Sequence, residues 1–131
     1  MIILVGYNGS DPCKNALAMA KQHAAVLQGR IEVVQAISRK ESLSYERIQK
    51  AEQQLAKQVK QLLDGQRGSF ETTLLVSTQS PAEQIVNFAQ TIHADEIIIG
   101  SKKRSRVGKF VLGSTTQFVV LNAPCPVVVV K

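Results

Sequence analysis

The stretch Ile2-Ile3-Leu4-Val5-Gly6-Tyr7-Asn8-Gly9-Ser10-Asp11-Pro12-Cys13 decides how the chain is read. Its first four residues are apolar and bulky, and a glycine ends the run, which is the pattern of a buried strand. Gly6 to Ser10 is turn-forming sequence. Asp11-Pro12 then reads as an N-cap followed by proline at the first helical position. Beyond it, Leu17, Ala20, Ala24 and Leu27 form one helical stripe, and Gly29 closes the helix. A strand that passes through a short polar loop into a helix is the first half of a β-α-β unit.

The same alternation continues to the last residue. Ile31–Ile37, Phe70–Ser77, Ile97–Gly100 and Val127–Val130 are further short apolar runs. Between them, about Ser44 to Asp64 carries Ile48, Ala51, Leu55, Val59 and Leu62 at helical spacing. Ser80-Pro81-Ala82-Glu83 is a capping box with proline at the first position, and Ile85, Phe88, Ala89 and Ile92 follow as its inward face. Ser114 with Gln117 three residues on gives a second capping-box pattern. Five strands alternating with four helices predict a parallel sheet with right-handed crossovers. No repeat, low-complexity stretch or linker divides the chain, so residues 1–131 are read as one domain.

Composition narrows the function classes. The 131 residues are 44% hydrophobic, enough for a core without staples. Cys13 and Cys125 match no metal or redox spacing, and each is read as a packing residue. His23 and His93 have no sequence-local ligand partners. No apolar run is long enough to span a membrane, and Ile2–Val5 is too short for a signal peptide. A cytoplasmic protein is expected. The net charge of +6 is unevenly spread. Lys102, Lys103, Arg104, Arg106 and Lys109 lie in one segment without an acid, while the other 11 basic residues face 10 acidic ones. A nearly neutral body with one basic loop points to a local anion site.

Open α/β sheets bind ligands at the carboxyl ends of their strands. That selects the loop after the first strand, Gly6 to Asp11, and the loop after the fourth, Gly100 to Ser114. In the second, Gly100 is expected to let a ligand approach the backbone closely. Gly113, Ser114, Thr115 and Thr116 place free N–H groups and hydroxyls at a helix start, where the dipole favours an anion. Gly108-Lys109 is not a P-loop, because Lys103 and Phe110 stand where Gly and Ser or Thr are needed. The first loop carries no Gly-x-Gly-x-x-Gly, which argues against a dinucleotide fingerprint.

Five pieces in order now carry a resemblance: Ile3-Leu4-Val5-Gly6-Tyr7-Asn8-Gly9-Ser10, Ser80-Pro81-Ala82-Glu83-Gln84-Ile85, Ala94-Asp95-Glu96-Ile97-Ile98-Ile99-Gly100-Ser101, Leu112-Gly113-Ser114 and Ala123-Pro124-Cys125-Pro126-Val127-Val128-Val129-Val130. With them the chain resembles the universal stress protein family along nearly its whole length. The resemblance implies an open five-stranded parallel sheet of order 3-2-1-4-5, Rossmann-like, with helices on both faces. One branch of that family binds ATP through a Gly, two residues, Gly, nine residues, Gly-Ser/Thr pattern. Gly100 and Gly113-Ser114 fit it; Lys103 replaces the middle Gly, and Asn8 replaces the acid that many ATP-binding members carry at the end of the first strand. The resemblance places adenine against Ala36; by their own chemistry Tyr7 offers a ring to stack on a base, Asn8 a hydrogen bond to ribose or base, and Lys102, Lys103 and Lys109 cations for phosphate, which completes the nucleotide-binding set. The resemblance also implies ATP or AMP as ligand, with magnesium accompanying ATP, and a homodimer through the edge strand Val127, Val128, Val129 and Val130.

No Ser-His-Asp or paired-carboxylate constellation is evident, so the expected activity is at most slow nucleotide hydrolysis. The leading reading is a dimeric stress or signalling module in which a nucleotide biases the choice of a protein partner. A scaffold of the same family without nucleotide is the alternative. A nucleic-acid binder using Lys102 to Lys109 is disfavoured by the lack of interleaved aromatics. A flavodoxin-type electron carrier is the fourth reading, in a chain with no Trp and 2 Tyr.

Overall fold

The computed structural model describes residues 1–39, 42–101, 108–109 and 111–131. Strands β1 (Ile2–Gly6), β2 (Arg30–Ser38), β3 (Phe70–Ser77), β4 (Glu96–Gly100) and β5 (Val127–Val130) alternate with helices α1 (Asp11–Leu27), α2 (Tyr45–Leu62), α3 (Pro81–Thr91) and α4 (Ser114–Asn122). All pairings are parallel, as the alternation of strands and helices predicts, and the strand order is β3-β2-β1-β4-β5, as the family resemblance implies.

Alternation along the strands sorts the core into two layers, because successive side chains leave opposite faces. Ile3 and Val5 of β1, Ile31 and Val33 of β2 and Ile98 of β4 pack under α1 and α2. Leu4, Val34, Ile97 and Ile99 pack under α3 and α4. Ile3, Leu4, Ile97 and Ile98 have no exposed surface at all, and burying each such side chain contributes about 1.5–3 kcal/mol.

Helix ends refine the sequence reading. Ser10, not Asp11, is the N-cap of α1, and Asp11 is the first helical residue. An acid one position inside still meets the positive end of the helix dipole. At the other end Gln28, not Gly29, takes the left-handed conformation, with φ 54°. Gly29 is needed for space instead: a Cβ there would lie 3.1 Å from Ile3 Cδ1. The stripe of α1 holds at Leu17, Ala20 and Ala24 but lapses at Leu27, which is 48% exposed. In α2, Leu55 and Val59 are buried, yet at the end Leu63 turns inward and Leu62 outward. Leu63 is the C-cap residue with non-helical backbone, so the extrapolated 3.6-residue phase no longer applies there.

The capping box of α3 is complete. Glu83 N donates to Ser80 Oγ at 3.2 Å, and Ser80 N donates to Glu83 Oε2 at 3.4 Å. That of α4 does not form. Gly113 is the N-cap and supplies no side chain, and Gln117 Nε2 donates instead to Leu112 O at 2.9 Å.

Candidate functional site

β1 and β4 lie side by side, but β1 continues into α1 on one face and β4 leads to α4 on the other. The two connections therefore part at the carboxyl end of the sheet, and a cavity of about 590 Å³ opens between them. Its apolar lining comes from Val34, Ile85 and Ile99. Val34 and Ile99 are the register partners of Gly6 on its two sides.

One wall is the β1–α1 loop. Asn8 Oδ1 accepts from Ser10 N at 3.0 Å and from Cys13 Sγ at 3.0 Å. This is an Asx-type turn that a side-chain carbonyl can hold. Gly9 sits at φ 85°, which a glycine adopts without strain. Tyr7 is buried; its N–H donates to Val34 O at 2.8 Å and its hydroxyl to Gln58 Oε1 at 3.1 Å. Burial, with the Cys13 thiol beside it, holds the phenol above its ordinary pKa. The ring is thus part of the core under α1 and α2, and a base-stacking role would need it to leave that packing.

The opposite wall is the start of α4. Gly113, Ser114, Thr115 and Thr116 all line the cavity. The first intrahelical bond runs from Gln117 N to Gly113 O, so the N–H groups of Ser114, Thr115 and Thr116 precede the helical ladder. Thr116 is only 4% exposed, and its hydroxyl has no hydrogen bond among the described residues. Ser101, also buried, ties the two parts of the β4–α4 connection: its N–H donates to Val130 O at 2.7 Å and its Oγ accepts from Gly113 N at 3.5 Å.

Gly100 requires a correction. The side on which a ligand was expected to approach is filled by protein, since a Cβ there would fall 2.4 Å from Pro12 C and 2.6 Å from Cys13 N. Its smallness lets the first turn of α1 settle on the end of β4. At Gly113, by contrast, a Cβ would meet no atom of the described residues within 4 Å.

The other expected site residues divide by place. Asn8, Gly100, Gly113, Ser114, Thr115 and Thr116 line one cavity, as does Tyr7. Ala36 does not; it packs against the α3 layer, two residues past Val34 on the same strand face. Lys109 is exposed and outside the lining. Lys102 and Lys103 lie outside the described residues. Val127 to Val130 are half-buried on the outermost strand, paired to β4. Sequence reading missed Val34, Ile85, Ile99, Ser101 and the part played by Cys13. Writing out the register around Gly6 would have found Val34 and Ile99; the Cys13 thiol carried no such signal.

Elsewhere, His23 Nδ1 meets Glu96 Oε1 at 2.6 Å at the amino end of β4, away from the cavity. Cys125 is half-buried, and its thiol is pushed up by burial and by Asp95 and Glu96. Among the described residues no three His, Cys, Asp or Glu side chains are grouped to hold a metal, and no helix is long and apolar enough to cross a membrane.

Comparison with known proteins agrees with this architecture. The model of the universal stress protein family matches residues 1–131. A universal stress protein of Thermus aquaticus is 34% identical over 133 aligned positions, covering 98% of this chain and 97% of that one. Among solved structures, a universal stress protein of Archaeoglobus fulgidus superimposes with a TM-score of 0.86 at 30% identity, covering 100% of this chain and 98% of the other. An Archaeoglobus fulgidus universal stress protein in complex with dAMP gives 0.80 at 27% identity, with the same coverage.

Proposed function

The chain belongs to the universal stress protein family, and from that premise we propose that it is a dimeric adenine-nucleotide-binding module of stress response or signalling. The observation that carries the reading is the α4 wall. There a buried threonine hydroxyl without a partner among the described residues stands beside backbone N–H groups that no helix turn uses. Buried polar groups are rarely left unpaired, and a helix start of this kind suits a phosphate. The phosphates are assigned to Ser114, Thr115 and Thr116, with Lys109, Lys102 and Lys103 as the cations of the segment. The base is assigned to the apolar lining at Val34, Ile85 and Ile99. The dAMP complex of a 27% identical relative supports the adenine class.

ATP and AMP both suit the cavity by chemistry. Asp11 is the one carboxylate among its described lining residues. Magnesium keeps most of its waters and rides on phosphate oxygens, so it would enter with ATP and not on a protein cage. A single carboxylate with no adjacent base favours binding over turnover, and the module is assigned slow hydrolysis at most. Turnover near 10 per second, an ordinary enzyme rate, would overturn that part. The dimer is assigned to the valine edge of β5, whose pairing with a second copy would remove an open edge. Light scattering at tens of micromolar should then give twice the chain mass. The working compartment is the cytoplasm, and the nucleotide is taken to bias the choice of a protein partner.

A scaffold without nucleotide is the second reading. It draws on two observations: the Asn8 acceptor is used internally, and the open side of Gly100 is filled by α1. Mass spectrometry of the small molecules released on denaturing the purified protein separates the two, together with titration calorimetry using ATP and AMP. Stoichiometric adenine nucleotide, or saturable heat below millimolar ligand, supports the module. Neither, with no thermal shift at millimolar ligand, supports the scaffold.

A further inference from the structure

The sheet has two outer edges, and they are unequal. β5 has four residues and β3 eight. The parity of the ladder bonds says how much backbone each leaves unpaired. Ile31 N donates to Ser69 O and Arg39 N to Ser77 O, so the odd-numbered residues of β3 turn their backbone groups toward β2. Phe70, Thr72, Leu74 and Val76 turn theirs outward. Along β5, Ile97 N donates to Pro126 O and Ser101 N to Val130 O, which leaves Val127 and Val129 facing out. No described strand pairs with the outer side of β3. β3 also lacks the usual protection of an edge. It contains no lysine or proline, and its register with β2 runs one to one without a bulge.

The two faces beside this edge differ in chemistry. On the α2 face, Thr72 and Leu74 border a groove of about 440 Å³ whose far side includes Glu52, Leu55 and Ala56 of α2. On the other face, Glu71 is the register partner of Glu32. Glu32 is buried and holds Arg30 Nε at 3.1 Å, whereas Glu71 is exposed and has no ion pair among the described residues. Burial raises the Glu32 carboxyl above its ordinary pKa; Arg30 opposes this and Glu71 adds to it. Glu52 also has no ion pair among the described residues. In a chain of net charge +6, this edge is an acidic exception. We propose that a protein partner docks here by adding an extended segment to β3, with alternate side chains basic toward Glu71 and apolar toward Leu74 and Ala56 in the groove. Outward backbone groups supply the binding, and the alternating side chains supply the selection. The edge is separate from the cavity and from β5, so the proposal goes beyond the nucleotide reading and holds for module and scaffold alike.

Amide hydrogen exchange of the full chain tests this, with a blocked octapeptide of alternating lysine and valine as the probe. Without peptide, the N–H groups of Thr72, Leu74 and Val76 should exchange fast and those of Thr73 and Leu75 slowly. Saturating peptide should slow the first set about tenfold, the worth of one hydrogen bond each. Replacing its lysines by glutamate should weaken binding about threefold, and Glu71→Lys should remove that preference. A peptide N-methylated along its backbone should not bind. Thr72→Pro removes an outward N–H, which an edge strand tolerates, and should weaken binding while Thr73 and Leu75 stay slow. If Thr72→Pro does not fold, the methylated peptide makes the same test from the partner's side. Unchanged exchange at millimolar peptide, equal binding of the lysine and glutamate peptides, or binding of the methylated one would overturn the proposal. So would slow exchange at Thr72 and Leu74 without peptide together with a mass beyond the dimer in light scattering, which would give this edge to a second copy.

Discussion

The two walls of the cavity are built on opposite terms. The β1–α1 wall satisfies itself: Asn8 serves Ser10 and Cys13, Tyr7 serves Val34 and Gln58, and Gly100 admits the backbone of Pro12 and Cys13 against β4. The α4 wall does not. Its N-cap is a glycine that no described residue crowds, its link to Ser101 is a long 3.5 Å bond, and Thr116 is buried without a partner among the described residues. Stability is thus concentrated in the first wall and the groups suited to an anion in the second, a division expected where a site must stay incomplete until a ligand arrives.

Substitutions on either side should break this contrast in opposite directions. Gly100→Ala forces a methyl into backbone that cannot step aside, and should cost about 3 kcal/mol by urea unfolding. Equal stability of Gly100→Ala and the unaltered chain would mean that α1 does not rest on β4 as described. Asn8→Ala strips two donors of their acceptor and should cost about 1–2 kcal/mol. Thr116→Val should do the reverse, raising stability by about 1 kcal/mol because an unpaired buried hydroxyl is exchanged for an apolar isostere, while weakening nucleotide binding. A drop in stability for Thr116→Val would show that the hydroxyl has an internal partner.

Tyr7 sharpens the comparison through pH. Its pKa is raised by burial, so the neutral phenol is favoured in the folded chain and its stabilising share is complete below the ordinary value of 10.0. As pH rises beyond that, the unfolded chain ionises first and stability falls. Tyr7→Phe should cost about 1 kcal/mol at neutral pH through the lost bond to Gln58, and should lose less stability than the unaltered chain between about pH 9 and 11. Gly113→Ala is the smallest expected effect, about 0.5 kcal/mol, since no described residue crowds the added methyl and only the N-cap preference changes.

Element order was legible because periodicity and turn residues report burial directly, and each of the five apolar runs became a strand; the strand order came only with the family resemblance. Side-chain traffic at the ends of elements was less legible. Asp11 and Ser10 are both good caps, and only backbone geometry distinguishes the cap from the first helical residue. Leu27 and Leu62 continue a helical stripe that the chain abandons one residue later. At the cavity, the loops and the Gly113-Ser114-Thr115-Thr116 start could be read from turn chemistry and charge. Val34 could not be preferred to Ala36 without the register, and Gly100 looked like a ligand contact because sequence shows that a glycine is needed, not what it makes room for.

The strand order also says when the cavity can exist. Ile3 pairs with Ile31 on one side and with Glu96 on the other. The contact between Ile2 and Asp95 that starts the second ladder spans 93 residues. Residues 1–77 contain β3, β2 and β1 as one contiguous run of neighbours, whereas β4 and β5 must return across the whole length to join them. Closing so long a loop is the costly step in assembling such a sheet. The cavity lies along that seam, with one lip from each piece. On a ribosome the first lip would emerge early and wait, and the pocket would come into being only after the segment through Thr116 had followed it out.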